Sequence, residues 1–495
     1  MMLEKFKSLL PFFFLTGLFA VFFLLPNSNL TIDSWYYAAC VKHQYDIFGN
    51  SHHLLYNFFG LQTWHFLNLI YPVGVVKALL IMNAFAASIS LILFIQIVKL
   101  GGYSLSNAVI ITVLAASSFG FLRFATDAET YVLPIMWTLA SAYAYLKSNT
   151  LVNTFLAAVF AVIAICSHQL QIWWALALFI YTWKFSGRGI KHGLLLSSVL
   201  LITPFIYYQF YVVGRYCNVS FLGFLLGQYN SGGAGIDISI KALLFTFVNF
   251  FRTFLQVHGQ ISFLFSQFFI LACLVLITLV GLVYLVFTKR QEILKIEKKN
   301  SNNRTALLFL LTAIFNLIFA FLSSGNAEFM AMLPFLLVAF MAFKFQLTFD
   351  NTLMMPASII LVWNLCTGII PSSQLNISRT DTQVNFYKQH SEALFVFENK
   401  AQVENQICYQ YGFKDQGRFI KLSEIKQNLD SGKTIYTDYR NVNTKFSRAA
   451  FLKNSEEYIL LKSFTLIKTD SFQNLYGKNY IYLVRKKDEK AIFAP

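Results

Sequence analysis

The chain has 495 residues, of which 57% are apolar and only 13% are charged, and its formal net charge is +16. An average soluble domain is about one-quarter charged, and a soluble core of this length could not hide so much apolar surface. The composition excludes a soluble globular protein. Much of the positive excess lies in short loops between apolar blocks, which indicates a membrane protein rather than a nucleic-acid-binding one.

The first apolar block, 9–25, follows Lys5 and Lys7 and is similar to a signal sequence. Residues 26–29 offer no small-residue cleavage site, so we interpret the block as an uncleaved first helix with a cytoplasmic N-terminus. A helix that crosses the hydrocarbon needs about 20 mostly apolar residues. On this basis we predict about 11 transmembrane helices, at 9–25, 73–98, 105–122, 130–146, 151–166, 169–183, 194–213, 261–287, 305–322, 329–343 and 353–370.

Alternation from a cytoplasmic N-terminus places basic clusters such as Lys184, Arg188 and Lys191 in cytoplasmic loops, as the positive-inside rule requires. The same alternation places most acidic residues before 371 on the extracytoplasmic side. They are Asp33, Asp46, Asp127, Glu129, Asp237 and Glu328. Ionisable groups at a membrane edge are costly unless they face protein or water, so these acids are functional candidates.

Two of the predicted outer loops are long, 26–72 and 214–260. Each contains a half-apolar segment, 53–69 in the first and 240–257 in the second. We predict that the first segment is a helix along the membrane interface. The second is either an interfacial or a re-entrant helix, and we favour the interfacial one.

After residue 370 the chain becomes polar and holds no apolar block long enough to span a membrane. The residue patterns predict helices at 382–400 and 422–429 and strands at 433–439, 458–468 and 479–485. The expected fold class is an all-α polytopic membrane domain, 1–370, followed by a small extracytoplasmic α/β domain, 371–495.

Asp33 comes shortly after the first span, in the segment TIDSW at 31–35. A carboxylate at this position can accept a proton from a substrate hydroxyl or orient that hydroxyl. An Asp at the start of a helix can equally accept backbone N–H bonds as an N-cap. The residues alone leave both interpretations open.

Asp127 and Glu129 follow the third span, just before the fourth. Carboxylates at i and i+2 do not share a helical face, but in a loop both can point toward one cavity. Helix capping is the alternative, with Glu129 near the positive end of the helix dipole. Two acids flanked by apolar helices exceed what a cap needs, which favours a functional role.

Further candidates lie on the same predicted side. His52 and His53, with Tyr56 in the same segment, have the chemistry to hydrogen-bond a phosphate or a sugar, although surface histidines often have no role. Glu328 opens the tenth span and either binds a substrate hydroxyl or caps the helix. Three arginines can bind phosphate with bidentate hydrogen bonds or reach toward lipid headgroups: Arg123, Arg215 and Arg252.

Three motifs together resemble the GT-C superfamily of integral membrane glycosyltransferases, which includes protein mannosyltransferases and aminoarabinose transferases. They are the first-loop acidic site DSWY at 33–36, the second-loop site DAETYVLP at 127–134, and GNAEF at 325–329 followed by Leu333-Pro334. The layout with a C-terminal outer domain is also similar. Many members carry two adjacent acids in the first loop, whereas Ser34 follows Asp33 here. A metal site of that kind is therefore in doubt: the sequence names no cofactor and leaves a divalent metal open.

The resemblance implies a polyprenyl-phosphate-linked sugar donor and a reaction in the outer leaflet. We expect a hexosyl or pentosyl group to pass to an acceptor hydroxyl by in-line displacement, with inversion. The 54 Phe residues and the layout suggest a bacterial inner membrane. The acceptor is a lipid, a glycan or a protein. We expect Asp33 to be the base, Asp127 and Glu129 to orient donor or acceptor, and Glu328 to face the same cavity. A transporter or flippase for lipid-linked glycans, and a polysaccharide polymerase or ligase, are the competing interpretations.

Overall fold

The computed structural model describes residues 2–48, 50–214, 219–230, 235–257, 261–294, 297–298, 304–346, 354–413, 417–439, 461–475 and 477–487. These residues form two compact units. The first unit contains Met1–Asn27 and Asp46–Pro371, and the second contains Ser28–Tyr45 and Ser372–Pro495.

The described part of the chain is mostly helical. Its α-helices are α1 (Met2–Leu24), α2 (Ile32–His43), α3 (Tyr56–Asn68), α4 (Val75–Leu100), α5 (Leu105–Ala116), α6 (Phe119–Ala125), α7 (Val132–Lys147), α8 (Leu151–Ser167), α9 (Ile172–Lys184), α10 (Ile190–Leu200), α11 (Ile202–Val213), α12 (Phe221–Asn230), α13 (Ile240–Phe254), α14 (Ile261–Gln267), α15 (Phe269–Leu294), α16 (Thr305–Leu322), α17 (Leu333–Lys344), α18 (Met354–Asn364), α19 (Ile370–Gln374), α20 (Asp381–Gln389), α21 (Lys400–Tyr411) and α22 (Ile425–Asp430). Short 3-10 turns occupy Ser51–His53, Gln169–Gln171, Ala327–Met330 and Leu422–Glu424, and a π-helical segment occupies Leu365–Ile369.

In the part of the chain that the structure describes, every predicted span falls on one or more helical segments of the first unit. Within the described residues, five helical stretches are long and apolar enough to cross a membrane: Val75–Leu100, Ile190–Val213, Thr305–Leu322, Ala327–Lys344 and Met354–Gln374. A sixth candidate is the pair α5 and α6, and shorter apolar helices account for other predicted spans. The chain is therefore an integral membrane protein, while the count of 11 stays a prediction.

The predicted span 105–122 is not one straight helix. It breaks at Ser117 and Ser118, and the axes of α5 and α6 differ in direction by 84°. Asn364 stabilises the break, because its buried amide nitrogen donates to the carbonyl oxygen of Ser117 at 2.8 Å. The break turns α6 away from α5 and so sets the direction in which Arg123 and the following turn are presented.

The loop segments predicted to be interfacial helices are helical, as α3 and α13. On α13, large apolar side chains spaced three and four residues apart are exposed, including Leu243, Phe247 and Phe251. The opposite face carries Ala242, Asn249 and Thr253, and this face packs on α6 and on the 3-10 turn Ala327–Met330. The helix is amphipathic, as a segment at a membrane surface must be.

The second unit contains a four-stranded sheet. Its strands are β3 (Leu394–Val396), β4 (Ile435–Thr437), β5 (Phe464–Asn474) and β6 (Gly477–Lys486), in the order β3-β4-β6-β5, while β1 (Glu297–Lys298) and β2 (Phe345–Gln346) form a separate pair. Strands β3 and β4 are parallel, and the other neighbours are antiparallel. Helix α2 joins this unit by packing on α21, where Asn405 donates to the carbonyl oxygen of Ile32 at 2.9 Å.

The predicted helix 382–400 is wrong in its second half, where the chain forms β3. Leu394 and Val396 pack into one apolar cluster, and Phe395 and Phe397 pack into another. A strand buried on both faces has no alternation of polar and apolar residues, so its apolar run is easily taken for part of a helix. The predicted helix 422–429 and the strands at 433–439 and 479–485 are confirmed. The strand predicted at 458–468 begins at Phe464 and continues to Asn474, and residues 458–460 lie outside the described part.

Candidate active site

The turn between α6 and α7 holds two deeply buried carboxylates. Asp127 is 1% exposed and Glu129 is 2% exposed. Asp127 accepts a hydrogen bond from the side-chain amide of Asn27 at 2.7 Å, and its other oxygen accepts one from the backbone N–H of Ala128 at 2.8 Å. The backbone N–H of Asn27 also donates to the carbonyl oxygen of Thr126 at 2.7 Å. The end of the first span therefore fixes the position of the Asp127 carboxylate.

Both acids lie outside helix α7 and its first turn. Helix α7 begins at Val132, and its N-cap residue, Tyr131, makes no side-chain capping bond. No acidic residue lies in the first turn of α7. Burial of carboxylates that do not serve the helix is costly to the fold, and such groups mark functional sites in proteins.

Asn83 holds the backbone of this turn from the middle of α4. Its side-chain nitrogen lies 2.7 Å from the carbonyl oxygen of Asp127 and 2.6 Å from that of Glu129. The same nitrogen lies 3.3 Å from the hydroxyl oxygen of Tyr56. Asn83 and Tyr56 are both fully buried, so the turn has a rigid support on the side of α4.

Glu328 faces this turn from the segment before α17. Asn326 caps the 3-10 turn by accepting the backbone N–H of Glu328 at 2.9 Å, so the Glu328 carboxylate is free of that task. One carboxylate oxygen accepts the hydroxyl of Tyr131 at 2.9 Å, and the other lies 3.4 Å from a guanidinium nitrogen of Arg123. Both side chains of the ion pair are about one-third exposed, at 28% and 33%. Because this ion pair is long and accessible to solvent, a ligand can replace one of its partners.

Arg252 is brought to the same place by α13. Asn249 donates to the carbonyl oxygen of Gly325 at 2.7 Å, and a side chain at Gly325 (φ +72°) would lie 2.5 Å from the backbone nitrogen of Thr246. This close contact fixes α13 against the segment that carries Glu328. Arg252 itself donates to Asn249 at 3.1 Å, and its buried Nε has no hydrogen-bond partner among the described residues. Burial and the neighbouring charge of Arg123 lower the pKa of Arg252.

Three histidine rings follow one another in a row that begins beside Tyr131. The ring centroid of His168 is 5.0 Å from that of Tyr131 and 4.5 Å from that of His53, and the rings of His52 and His53 are 6.1 Å apart. Burial lowers the pKa of His52 to about 4 and that of His168 to about 3. Burial and the two neighbouring imidazoles lower the pKa of His53 well below its usual value. The group is neutral at physiological pH.

The first unit thus brings together most of the predicted site residues: Asp127, Glu129, Glu328, Arg123, Arg252, His52, His53 and Tyr56. Asp33 belongs to the second unit, where it is exposed in the first turn of α2. Thr31 is the N-cap of that helix and accepts the N–H of Ser34 at 3.1 Å, so Asp33 is not the cap. The expected meeting of Asp33 with the other acids stays a prediction. Arg215 lies outside the described residues.

Sequence analysis missed four residues of this site: Asn27, Asn83, Tyr131 and His168. Asn83 is one of two side-chain amides in the apolar span 73–98, and His168 stands between two short apolar helices. A polar side chain in such surroundings was the available signal. No group of three or more His, Cys, Asp and Glu side chains is arranged to hold a metal ion in the described part of the chain.

No family model matches the sequence, and no curated protein is significantly similar to it. The structure, in contrast, is similar to solved structures. It matches ArnT from Cupriavidus metallidurans bound to undecaprenyl phosphate with a TM-score of 0.56 and 10% identity, over 95% of this chain and 97% of that chain. It also matches the archaeal oligosaccharyltransferase AglB from Archaeoglobus fulgidus, in complex with an inhibitory peptide and a dolichol-phosphate, with a TM-score of 0.51 and 11% identity, over 96% and 74% of the two chains.

These matches define the class of fold. The chain is an integral membrane protein that shares its fold with these GT-C glycosyltransferases, and the fold expected from the acidic motifs is confirmed.

Proposed function

We propose that this protein is a GT-C-type glycosyltransferase that moves a sugar from a polyprenyl-phosphate-linked donor to an acceptor hydroxyl on the extracytoplasmic side of the membrane. The observation that carries the proposal is the pair of buried carboxylates, Asp127 and Glu129, beside Arg123 and Arg252 in this fold. Acid groups that can orient hydroxyls, next to cations that can bind a phosphate, are the two parts that this reaction needs.

The reaction is a single displacement. The acceptor hydroxyl attacks the anomeric carbon of the donor sugar while the bond from that carbon to the phosphate oxygen breaks. The hydroxyl proton passes to a carboxylate, and the polyprenyl phosphate leaves with the electron pair. Attack on the face opposite to the leaving group inverts the anomeric configuration.

The two arginines are assigned to the leaving phosphate. The negative charge on that phosphate grows as the bond to the sugar breaks, and guanidinium groups stabilise such charge with paired N–H bonds. Among the described residues the buried Nε of Arg252 has no hydrogen-bond partner, and Arg123 forms a long ion pair with Glu328. A phosphate between the two cations would relieve their mutual repulsion.

The acids are assigned to the sugar and the acceptor. Asp127 and Glu129 orient hydroxyl groups of donor or acceptor, because Asn27 holds the carboxylate of Asp127 and Asn83 holds the backbone of both residues. Asp33 is assigned as the base, since it is an exposed carboxylate in the first turn of α2, whose N-cap is Thr31.

The test is mass spectrometry of lipid-linked glycans, surface glycans and glycoproteins in a deletion strain and in the same strain carrying the wild-type gene. We expect at least one sugar to disappear from an acceptor in the deletion strain, with its lipid-linked donor accumulating. The wild-type gene should restore this sugar to its acceptor. Identical glycan profiles in the two strains would contradict the proposal.

Asp33→Asn tests the base separately. The amide has the shape of the carboxylate but cannot take the proton, so transfer should be lost while the protein is still present in the membrane at wild-type level. Transfer at the wild-type rate in this variant would remove Asp33 from the role and leave the rest of the proposal intact.

A further inference from the structure

His168 occupies the corner between α8 and α9 and is only 2% exposed. Its Nδ1 accepts the backbone N–H of Leu170 at 3.1 Å and so caps the 3-10 turn Gln169–Gln171. The corner is tied to the first outer loop, because the N–H of Leu55 donates to the carbonyl oxygen of Cys166 at 3.0 Å. The ring is therefore held in one orientation by the local fold.

The capping bond also fixes the tautomer of His168. A neutral imidazole has one donor and one acceptor nitrogen. Since Nδ1 accepts from Leu170, the proton is on Nε2, which makes Nε2 a hydrogen-bond donor. Protonation of both nitrogens would break the cap, and burial in any case lowers the pKa of the ring to about 3.

The Nε2 donor is buried and has no hydrogen-bond partner among the residues that the structure describes. Buried N–H groups are nearly always paired in native proteins, and an orphaned one destabilises the fold unless a ligand completes it. The ring lies 5.0 Å from that of Tyr131, whose hydroxyl binds Glu328, so the donor adjoins the proposed site. His168 has no task in the fold that uses this nitrogen.

The character of the missing acceptor follows from the neighbouring rings. His53 and His52 are neutral like His168, while the cations of the site are Arg123 and Arg252 on α6 and α13. A neutral donor among neutral imidazoles suits an uncharged oxygen. A phosphate would instead be drawn to the arginines.

We propose that His168 donates a hydrogen bond from Nε2 to an uncharged oxygen, a hydroxyl or the ring oxygen, of the donor sugar. This inference rests on the proposed glycosyltransferase function. It makes His168 a sugar-binding residue that is separate from the phosphate-binding arginines.

Two substitutions separate this role from capping. In His168→Asn the amide oxygen can take the place of Nδ1 and keep the cap, but the donor at Nε2 is lost. In His168→Gln the amide nitrogen can reach the place of Nε2, but the cap is lost. For a sugar ligand we expect His168→Asn to lower transfer of the glycan identified in the deletion strain roughly tenfold, and His168→Gln to retain most of the transfer.

Undecaprenyl phosphate, which carries no sugar, is the second probe. Its affinity should be the same within about twofold for the purified wild type and His168→Asn. Because this lipid has no sugar, neither complex contains the hydrogen bond from His168 to a sugar. Lower affinity in His168→Asn would assign the nitrogen to the phosphate and overturn the proposal.

The remaining outcomes are also decisive. Full transfer by His168→Asn together with loss in His168→Gln would show that only the cap matters, and would overturn the sugar contact. If the wild-type chain itself restores no glycan, both the proposed function and this inference are contradicted. If it restores the glycan and His168→Asn does so equally, only this inference fails.

Discussion

The two ends of α7 use arginine in opposite ways. At the Lys147 end, Arg188 donates to the carbonyl oxygens of Tyr145 and Ser148 and to the hydroxyl of Thr154, and its guanidinium stacks on the ring of Tyr145 at 3.8 Å. At the Val132 end, Arg252 makes one bond to Asn249, and its Nε has no partner among the described residues.

The difference separates structure from function. The donors of Arg188 end on two backbone carbonyls and the Thr154 hydroxyl, so this side chain closes the corner between α7 and α8 and has little left for a ligand. The Val132 end instead keeps the buried acids Asp127 and Glu129, a long ion pair at Arg123 and a donor on His168 that no described residue accepts from. Natural folds retain incomplete polar groups mainly where a ligand completes them.

The largest expected effect comes from a substitution of Glu129, which lies near the Val132 end of α7. Glu129→Gln keeps the size of the side chain but removes its charge, and loss of a positioned carboxylate typically lowers a rate by about 100-fold or more. Transfer of the glycan identified in the deletion strain is the measurement. Glu392→Gln, at an exposed position of the second unit, is the matched control and should transfer normally. Half the wild-type transfer or more in Glu129→Gln would place the site elsewhere.

Much of this layout could be predicted from the sequence. Apolar blocks predict the helices of the first unit because lipid demands them, and acids beside such blocks are unusual enough to identify Asp127, Glu129 and Glu328 as candidates. The amphipathic pattern of α13 was likewise readable, since its apolar residues recur every three to four positions.

The rest depends on contacts between distant segments. Asn83 supports the turn at Asp127 from 44 residues away, and the bend between α5 and α6 depends on Asn364, 247 residues from Ser117. The tautomer of His168 depends on one backbone bond. No local pattern contains these partners, so the sequence could suggest the acids but not the groups that position them.

Lowering the pH should destabilise the fold through His168, which lies near the Val132 end of α7. The pKa of His168 falls from about 6.5 in an unfolded chain to about 3 in the folded one, so the unfolded chain binds the extra proton between these values. Stability therefore falls as the pH is lowered from 7 to 5, by about 2 kcal/mol for this residue. The melting temperature of the purified protein at the two pH values is the measurement. His168→Asn lacks the titrating ring, so its melting temperature should fall less between pH 7 and pH 5. An equal fall in melting temperature for both proteins would contradict the pKa shift.

Removing the Arg252 charge should weaken phosphate binding. Arg252→Gln should lower the affinity for undecaprenyl phosphate roughly tenfold, because charge-assisted bonds to phosphate are lost. Lys241→Gln is the matched control, since Lys241 lies on the same helix, carries the same charge and is exposed. Equal loss in both variants would mean that α13 attracts the anionic lipid by its general charge, without a specific contact at Arg252.

The smallest effect is expected at the Lys147 end. Arg188→Lys keeps the positive charge of the loop but loses the planar group that reaches three acceptors and stacks on Tyr145. We expect the free energy of unfolding to fall by about 1 kcal/mol, which is a drop of about 2 °C in melting temperature. The affinity for undecaprenyl phosphate should not change, because every guanidinium contact at this end is internal to the fold. Weaker lipid binding by Arg188→Lys with an unchanged melting temperature would contradict this comparison. It would show that the ligand lies at the Lys147 end of α7 and that Arg188 contacts it.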